Sequence, residues 1–201
     1  MKKLRLIYNP MAGNKEFPKK LDQSIKKLQR ANYQVSIFRS AKPGDLSAGL
    51  EGVRSDDDAV VVAGGDGSIN EVINALVKRN LDIPLGVIPA GTANDFARQL
   101  NISHNIEEAV EVIAEGNIQT VDIGHVNGQY FADVCAAGLL ANVSHEVDVN
   151  LKNTLGKLAY YIKGIEQLPK FENIPLKIET PNRVVEDDFY LFLILNGKSA
   201  G

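Results

Sequence analysis

The stretch VVVAGGDGSINEVINAL, residues 60–76, constrains the fold more strongly than any other part of the sequence. Its first residues, Val60–Ala63, are apolar and mostly β-branched, which is typical of a buried strand. Residues Ile69–Val77 follow the spacing of an amphipathic helix, and three glycines and an aspartate lie between the two segments. A strand that turns at once into a helix through glycines predicts an α/β fold.

The rest of the N-terminal half repeats this alternation of strand and helix. The helix predicted for Pro18–Arg30 places Leu21, Ile25 and Leu28 on one face. Strands are predicted at Leu4–Tyr8, Gln34–Phe38, Ala59–Ala63 and Leu85–Ile88. This order predicts an N-terminal α/β domain, residues 1–120, with a parallel sheet covered by helices on both faces.

After residue 117 the pattern becomes mostly β. The pair Asn127-Gly128 predicts a tight hairpin turn, because these residues accept positive φ angles. A helical face over Leu155–Ile165 and two strands around Pro181-Asn182 follow, and then a very apolar strand, Phe189–Leu195. We expect residues 121–201 to form a β-rich domain that is incomplete at its C-terminus. Its partner strands are expected beyond Gly201 in a longer natural protein or, less favoured, in another chain.

Composition excludes several classes of function. The chain has 22 basic and 25 acidic side chains, a net charge of −3 and a pI near 5.7, which argues against a nucleic-acid-binding protein. A single cysteine cannot form an internal disulfide, so a cytoplasmic location is expected. No apolar run approaches the roughly 20 residues that span a bilayer, so any membrane contact is expected to be peripheral.

The glycines after Val60–Ala63 predict an anion site. Glycine lets the backbone approach a ligand closely, and the free amides at a helix N-terminus attract negative charge. We expect Ser68 to be the N-cap residue and Glu71 to complete a capping box. The loop has no Gly-Lys-Ser/Thr, and Asn70 stands where a dinucleotide motif needs its third glycine, so neither a Walker A loop nor standard NAD binding fits.

Asp66 is the unexpected residue in this loop, because a carboxylate should repel a phosphate. A divalent cation between the two would turn this repulsion into a bridge, so Asp66 indicates magnesium. Alternatively, Asp66 accepts amide hydrogen bonds in a tight turn. The sequence leaves both possibilities open.

Two other polar loops follow predicted strands. Asn9-Pro10 ends the first strand, and Gly13 allows a further turn. In the later loop we expect Thr92 to be the N-cap residue and Asp95 to occupy the capping-box position of the next helix. Loops after parallel strands lie along the edge of the sheet where α/β proteins bind ligands, so we expect these loops to meet the glycine loop.

Four motifs, NPMAG, GGDGSINEV, GTANDFAR and VDIG, together resemble the diacylglycerol kinase catalytic-domain family, which includes sphingosine, ceramide and bacterial lipid kinases. The resemblance implies a two-domain enzyme with ATP bound in a cleft between an α/β domain and a β-sandwich. It also implies Mg²⁺ as a cofactor and a lipid alcohol as substrate.

Site residues follow from this resemblance position by position. Ser40 stands where the family usually has a threonine that contacts the nucleotide. The nucleotide-binding residues implied by the resemblance and by the loops are Asn9, Pro10, Gly13, Ser40, Gly64, Gly65, Asp66, Gly67, Ser68, Asn70, Glu71, Gly91, Thr92 and Asn94. The family's acidic magnesium network maps onto Asp66, Asp95 and Asp122, of which Asp66 also supports catalysis. The general base is expected beyond Gly201, and AAGLLANVSH departs from the family pattern after the hairpin.

The leading hypothesis is therefore an ATP-dependent kinase of diacylglycerol or a related lipid alcohol, acting peripherally at the inner face of the membrane. An NAD kinase or phosphofructokinase relative is an alternative, because those families also use a GGDG loop; GTANDFAR favours the lipid enzymes. A non-catalytic nucleotide or lipid sensor without the general base is a third possibility. A homodimer is compatible with each of them.

Overall fold

The structure is a computed structural model that describes residues 1–138, 173–180 and 182–197. The chain divides into two compact units. The first comprises Met1–Asp133 and a segment that begins at Asn196, and the second comprises Val134–Leu195. The predicted helical face over Leu155–Ile165 and the Pro181 half of the predicted turn lie outside the described residues.

A four-stranded parallel sheet forms the centre of the first unit. Its strands are β1 (Lys2–Tyr8), β2 (Tyr33–Arg39), β3 (Ala59–Gly64) and β4 (Leu85–Pro89), in the order β2-β1-β3-β4. Every residue of β3 is buried, as expected for an inner strand of a sheet that is covered on both faces. The sequence predicted all four strands, and the α/β fold class is confirmed.

Helices cover both faces of this sheet. They are α1 (Phe17–Arg30), α2 (Asp66–Lys78), α3 (Asp95–Gln99) and α4 (Ile106–Glu115), with a 3-10 helix at Leu46–Leu50. Alternate residues of β3 point to opposite faces. Val60 and Val62 pack in the core that contains α2, whereas Val61 packs in the core that contains α1 and α4. The predicted covering of both faces is therefore confirmed.

The N-terminus of α2 differs from the prediction. The helix begins at Asp66 with Gly65 as its N-cap residue, so the expected Ser68–Glu71 capping box is wrong. Gly65 has an extended backbone, and its carbonyl oxygen accepts hydrogen bonds from the amides of Ser68 and Ile69, at 2.9 and 3.1 Å. These bonds place Ser68 inside the first turn. The Glu71 carboxylate instead accepts a hydrogen bond from the amide of Ser47, at 3.1 Å.

A short hairpin, β5 (Gly124–Val126) and β6 (Gln129–Phe131), ends the first unit. Asn127 and Gly128 have φ angles of 48° and 78°, which confirms the predicted tight turn. The Asn74 side chain on α2 fixes this hairpin: it accepts from the Tyr130 amide at 2.9 Å and donates to the Tyr130 carbonyl at 2.7 Å. The hairpin is therefore bonded directly to the helix that follows the glycine loop.

The described part of the second unit consists of antiparallel strand pairs. β7 (Val134–Gly138) pairs with β10 (Leu191–Leu195), and β8 (Ile174–Thr180) pairs with β9 (Arg183–Phe189). A β-rich C-terminal region is therefore confirmed. The single strand predicted over Phe189–Leu195 is wrong at its start, because Phe189 ends β9 and Tyr190 separates the two strands. Among the described residues, no helix is long and apolar enough to cross a bilayer.

Candidate functional site

Three glycine-bearing loops meet at the carboxyl edge of the parallel sheet. A Cβ added at Gly13, in the loop after β1, would lie 2.5 Å from the carbonyl oxygen of Ala90, after β4. A Cβ at Gly91 would lie 2.4 Å from the Cα of Gly65, after β3. Side chains essentially never approach backbone atoms so closely, so only glycine permits this packing. The expected convergence of the loops after β1, β3 and β4 is confirmed.

These loops border a cleft of about 510 Å³ in the first unit. The cleft is lined by Asn9–Gly13, Arg39–Gly44, Leu46, Gly65, Gly67, Ser68, Glu71 and Gly91. Of the described residues, five predicted nucleotide-binding residues do not line this cleft: Gly64, Asp66, Asn70, Thr92 and Asn94. Asn70 lines an adjoining groove beside α2. Two exposed cations that line the cleft were not predicted: Arg39, the last residue of β2, and Lys42, in the loop that follows it. Their position after a predicted strand could have indicated them.

The start of α2 faces the cleft through Gly65, Gly67 and Ser68. A helix N-terminus carries partial positive charge on amides that have no partner within the helix. Gly67 is exposed, and a Cβ added there would meet no protein atom within 4 Å. The backbone at this point is therefore open to an anionic ligand, as expected of a phosphate site.

Asp66 connects α2 to α3. Its Oδ1 accepts a hydrogen bond from the Phe96 amide, at 3.0 Å. The amide-accepting role that the sequence left open is therefore present, but the bond joins the first turns of two helices and does not close a tight turn. An ionised carboxylate has about four acceptor positions, so this bond leaves capacity for a cation on the same side chain.

The loop between β4 and α3 differs from the prediction in its capping residue. Asn94, with a left-handed φ of 53°, is the N-cap residue of α3, and the assignment of Thr92 is wrong. The Asn94 side chain closes the loop by accepting from the Gly91 amide at 2.8 Å and donating to the Gly91 carbonyl at 3.0 Å. Thr92 is exposed, and Asp95 forms an ion pair with Arg98 at 2.9 Å. Asn94 therefore holds Gly91 against Gly65.

Asp133 is an acidic residue that the sequence analysis did not single out. It is 7% exposed, and its carboxylate accepts a hydrogen bond from the Gln99 side chain on α3. Burial raises the pKa of Asp133, and the negative charges of Asp95 and Asp66 raise it further. The first unit thus brings Asp133 into the electrostatic field of two predicted metal ligands.

The three carboxylates predicted to hold magnesium do not form one cluster. Within residues 1–138, 173–180 and 182–197, no group of three or more acidic, histidine or cysteine side chains is placed to hold a metal ion. Asp122 is exposed, and its backbone carbonyl accepts from the Asn196 side chain at 2.7 Å. Mg²⁺ is commonly held by one or two carboxylates together with substrate phosphates, and Asp66 beside the cleft fits that pattern. The metal role of Asp66, Asp95 and Asp122 stays a prediction.

Comparison with known proteins gives the family. The model of the diacylglycerol kinase catalytic domain matches residues 3–126, which include all three glycine loops. The chain belongs to this family. Proteins named diacylglycerol kinase from Staphylococcus aureus strains MRSA252 and Newman are each 40% identical over 202 residues, and cover all of this chain. The chain spans 64% of the length of these relatives.

Solved structures agree with this assignment. A crystal structure of a diacylglycerol kinase from Bacillus anthracis strain Sterne has a TM-score of 0.77 and 32% identity, covering 98% of this chain and 65% of its own. Another structure from that strain has a TM-score of 0.81 and 33% identity, covering 100% and 66%. The resemblance of the four motifs to the diacylglycerol kinase catalytic-domain family is confirmed.

Asp133 lies outside the stretch matched by the family model, and its burial leads to a stability prediction. Because its pKa is raised above the ordinary 3.8, the native chain binds a proton more readily than the unfolded chain. The free energy of unfolding therefore falls as pH rises through the raised pKa. Above that pKa the ionised carboxylate destabilises the native chain to its full extent. Asp133→Asn removes this cost and keeps an oxygen for Gln99.

We expect Asp133→Asn to unfold at a higher urea concentration than wild type at pH 8, with the difference shrinking as pH falls toward 3.8. Asp22→Asn, on the exposed surface of α1, is the matched control and should change little at either pH. Equal or lower stability of Asp133→Asn at pH 8 would contradict the assignment of a buried, destabilising charge.

Proposed function

We propose that this member of the diacylglycerol kinase catalytic-domain family is an ATP-dependent lipid kinase. It would transfer the γ-phosphoryl group of ATP to the hydroxyl of diacylglycerol or a related lipid alcohol. The observation that carries the proposal is the packing of the loops of Gly13, Gly65 and Gly91 around the exposed start of α2. Within this family, such an arrangement is best explained by a triphosphate site.

In this proposal the backbone holds the phosphates. The exposed backbone of Gly67 lines the cleft at the start of α2, together with Gly65 and Ser68, and the loop of Gly13 lines it as well. Arg39, the last residue of β2, adds positive charge to the wall of the cleft. Asp66, with Asp95 at the start of α3, would hold Mg²⁺, which when bound supplies neutralisation of phosphate charge.

Phosphoryl transfer also requires an acceptor in line with the phosphate. The lipid hydroxyl oxygen bonds to the γ-phosphorus as the bond to the β,γ-bridging oxygen breaks, and the hydroxyl proton passes to a base. Among the described residues we assign positioning and charge neutralisation but no base. Because its acceptor is a membrane lipid, the enzyme would act peripherally, at the cytoplasmic face of the membrane.

The proposal is tested by incubating the chain with γ-labelled ATP and Mg²⁺, and with either a mixed lipid extract or NAD. Because the general base is expected beyond Gly201, we expect only slow labelling of the lipid fraction, above a sample without protein, and less label with Asp66→Asn. Label in NAD instead would support an NAD kinase relative. ATP binding with no labelled product from either acceptor would support a chain that binds the nucleotide without catalysing phosphoryl transfer.

A further inference from the structure

One wall of the cleft is formed by a segment that we call the 40–47 loop, from Ser40 to Ser47. It follows β2 and enters the 3-10 helix at Leu46. Ser40–Gly44 line the cleft, so the shape of this loop sets the width of the site on that side. If phosphates lie at the start of α2, the 40–47 loop faces the nucleoside part of the ligand.

Asp45 determines how this loop folds. Its Oδ2 accepts hydrogen bonds from the amides of Ala41 and Lys42, at 2.8 and 3.1 Å. The Ser40 hydroxyl and these amides hold the pKa of Asp45 below its ordinary value. The carboxylate thus accepts from two amides of the loop. Among the described residues, Asp45 itself does not line the cleft.

Ser40 is held within the same turn. It is 6% exposed, its amide donates to the Tyr8 carbonyl at 2.9 Å, and its hydroxyl donates to the Lys42 carbonyl at 3.2 Å. The Ser40 hydroxyl proton is therefore committed to the loop. The predicted contact of Ser40 with the nucleotide depends on the conformation that Asp45 imposes.

A second carboxylate connects the loop to the phosphate-facing helix. Glu71 on α2 accepts from the Ser47 amide at 3.1 Å and also lines the cleft. Gly44, at the tip, has a left-handed φ of 80° that glycine adopts without strain. The 40–47 loop is thus closed internally by Asp45 and fixed to α2 by Glu71.

We propose that Asp45 is a nucleotide-positioning residue: it holds the 40–47 loop in the conformation that contacts the nucleoside part of ATP, without touching ATP itself. This inference rests on the proposed ATP site. Asp45 belongs neither to the glycine motifs nor to the acidic network. The cleft then has a phosphate side, formed by the start of α2, and a nucleoside side, formed by the loop that Asp45 holds in place.

The test compares binding of Mg-ATP and of Mg-tripolyphosphate to the 201-residue chain by calorimetry. Asp45→Ala is expected to weaken ATP binding by about 3- to 10-fold, the loss of roughly one loop-ordering interaction, and to leave tripolyphosphate binding within about 2-fold. Asp45→Asn keeps an oxygen that can accept from both amides, so it should restore most of the ATP affinity. Asp56→Ala, at a 70%-exposed side chain, is the matched control.

Amide hydrogen exchange reports the loop directly. In Asp45→Ala, exchange at Ala41 and Lys42 should accelerate, because both amides lose their acceptor. Faster exchange with unchanged ATP affinity would overturn the inference and leave the ATP site intact. Equal losses of ATP and tripolyphosphate affinity would also overturn it, since the effect would then be on the phosphate side. A wild-type chain that binds tripolyphosphate but not ATP would overturn both this inference and the proposed function.

Discussion

Replacing Asp66 with asparagine is expected to remove the Mg²⁺ dependence of ATP binding while leaving the fold intact. Asparagine keeps an oxygen that can accept from the Phe96 amide, the bond that joins α2 to α3. It lacks the negative charge that would hold a divalent cation between residue 66 and the triphosphate. The variant thus separates the two roles that the sequence left open for Asp66.

In quantitative terms, we expect ATP affinity in the presence of Mg²⁺ to fall by about 10- to 100-fold, equal to about 1.4–2.8 kcal/mol. Phosphoryl transfer, where it is measured, should fall by roughly 10²-fold or more, as is usual when one preorganised electrostatic partner is removed. Without Mg²⁺ both should bind ATP weakly, and the variant should bind it at least as well as wild type, because it lacks the carboxylate that repels the phosphates. Calorimetric titrations with and without Mg²⁺ give all of these comparisons.

Asp66→Ala serves as the comparison that also removes the hydrogen bond. It should lose the Mg²⁺ response in the same way and, in addition, unfold with about 1 kcal/mol less free energy, a typical cost of losing a helix-capping acceptor. If Asp66→Asn keeps the full Mg²⁺ response, Asp66 has only the structural role, and the metal assignment fails.

Replacing Gly67 with alanine is expected to stabilise the fold and weaken ATP binding. The Cβ would meet no protein atom within 4 Å, and the φ of Gly67 is not among the left-handed angles. Alanine in a helix is favoured over glycine by about 0.5–1 kcal/mol, and somewhat less near a terminus. The same methyl group projects from exposed backbone on the wall of the cleft, where phosphates would approach.

We expect the melting temperature of Gly67→Ala to rise by a few degrees, while affinity for Mg-ATP falls by about 10- to 100-fold. A rise in melting temperature together with a fall in affinity is informative, because a variant that weakened binding by misfolding would also lose stability. Gly91→Ala is the contrasting variant: its Cβ would overlap the Cα of Gly65 at 2.4 Å, so stability and binding should both fall. Unchanged ATP affinity in a stabilised Gly67→Ala would show that no ligand approaches this backbone.

Much of the first unit could be predicted because the signal is local. The apolar run Val60–Ala63 predicts a buried strand, and the spacing of apolar residues in α1 predicts a helix with one buried face. Both predictions need only the residues of the segment itself. The turn at Asn127-Gly128 follows from the φ angles that these residues accept. Parallel strands then bring their following loops to one edge, so the convergence of the glycine loops followed from topology.

The errors arise where tertiary contacts overrule local preference. Ser68 has a good N-cap side chain, but the extended backbone of Gly65 starts α2 earlier, and Glu71 bonds to the amide of Ser47 instead. Asn94, and not Thr92, is the N-cap residue of α3. Asn94 has a left-handed backbone conformation, and its side chain bonds to both backbone groups of Gly91. Local capping rules do not contain these partners.

Asp133 and Asp45 show a different limit. Neither belongs to a motif, and each acquires its role from residues or loops that meet it only in the folded chain. Asp133 is paired with Gln99, 34 positions away in sequence, and feels the charges of Asp95 and Asp66. Asp45 bonds to amides only three and four positions away, yet its importance comes from the cleft on the other side of the loop. A single sequence does not reveal which carboxylates are buried or which loops line a site.

The most direct measurement is a crystal structure of the chain with Mg²⁺ and a non-hydrolysable ATP analogue. The account predicts phosphate density within hydrogen-bonding distance of the amides between Gly65 and Ser68, with the cation in contact with the Asp66 carboxylate. It further predicts the nucleoside against the 40–47 loop. An analogue bound elsewhere on the chain, or phosphates that leave the start of α2 untouched, would contradict it.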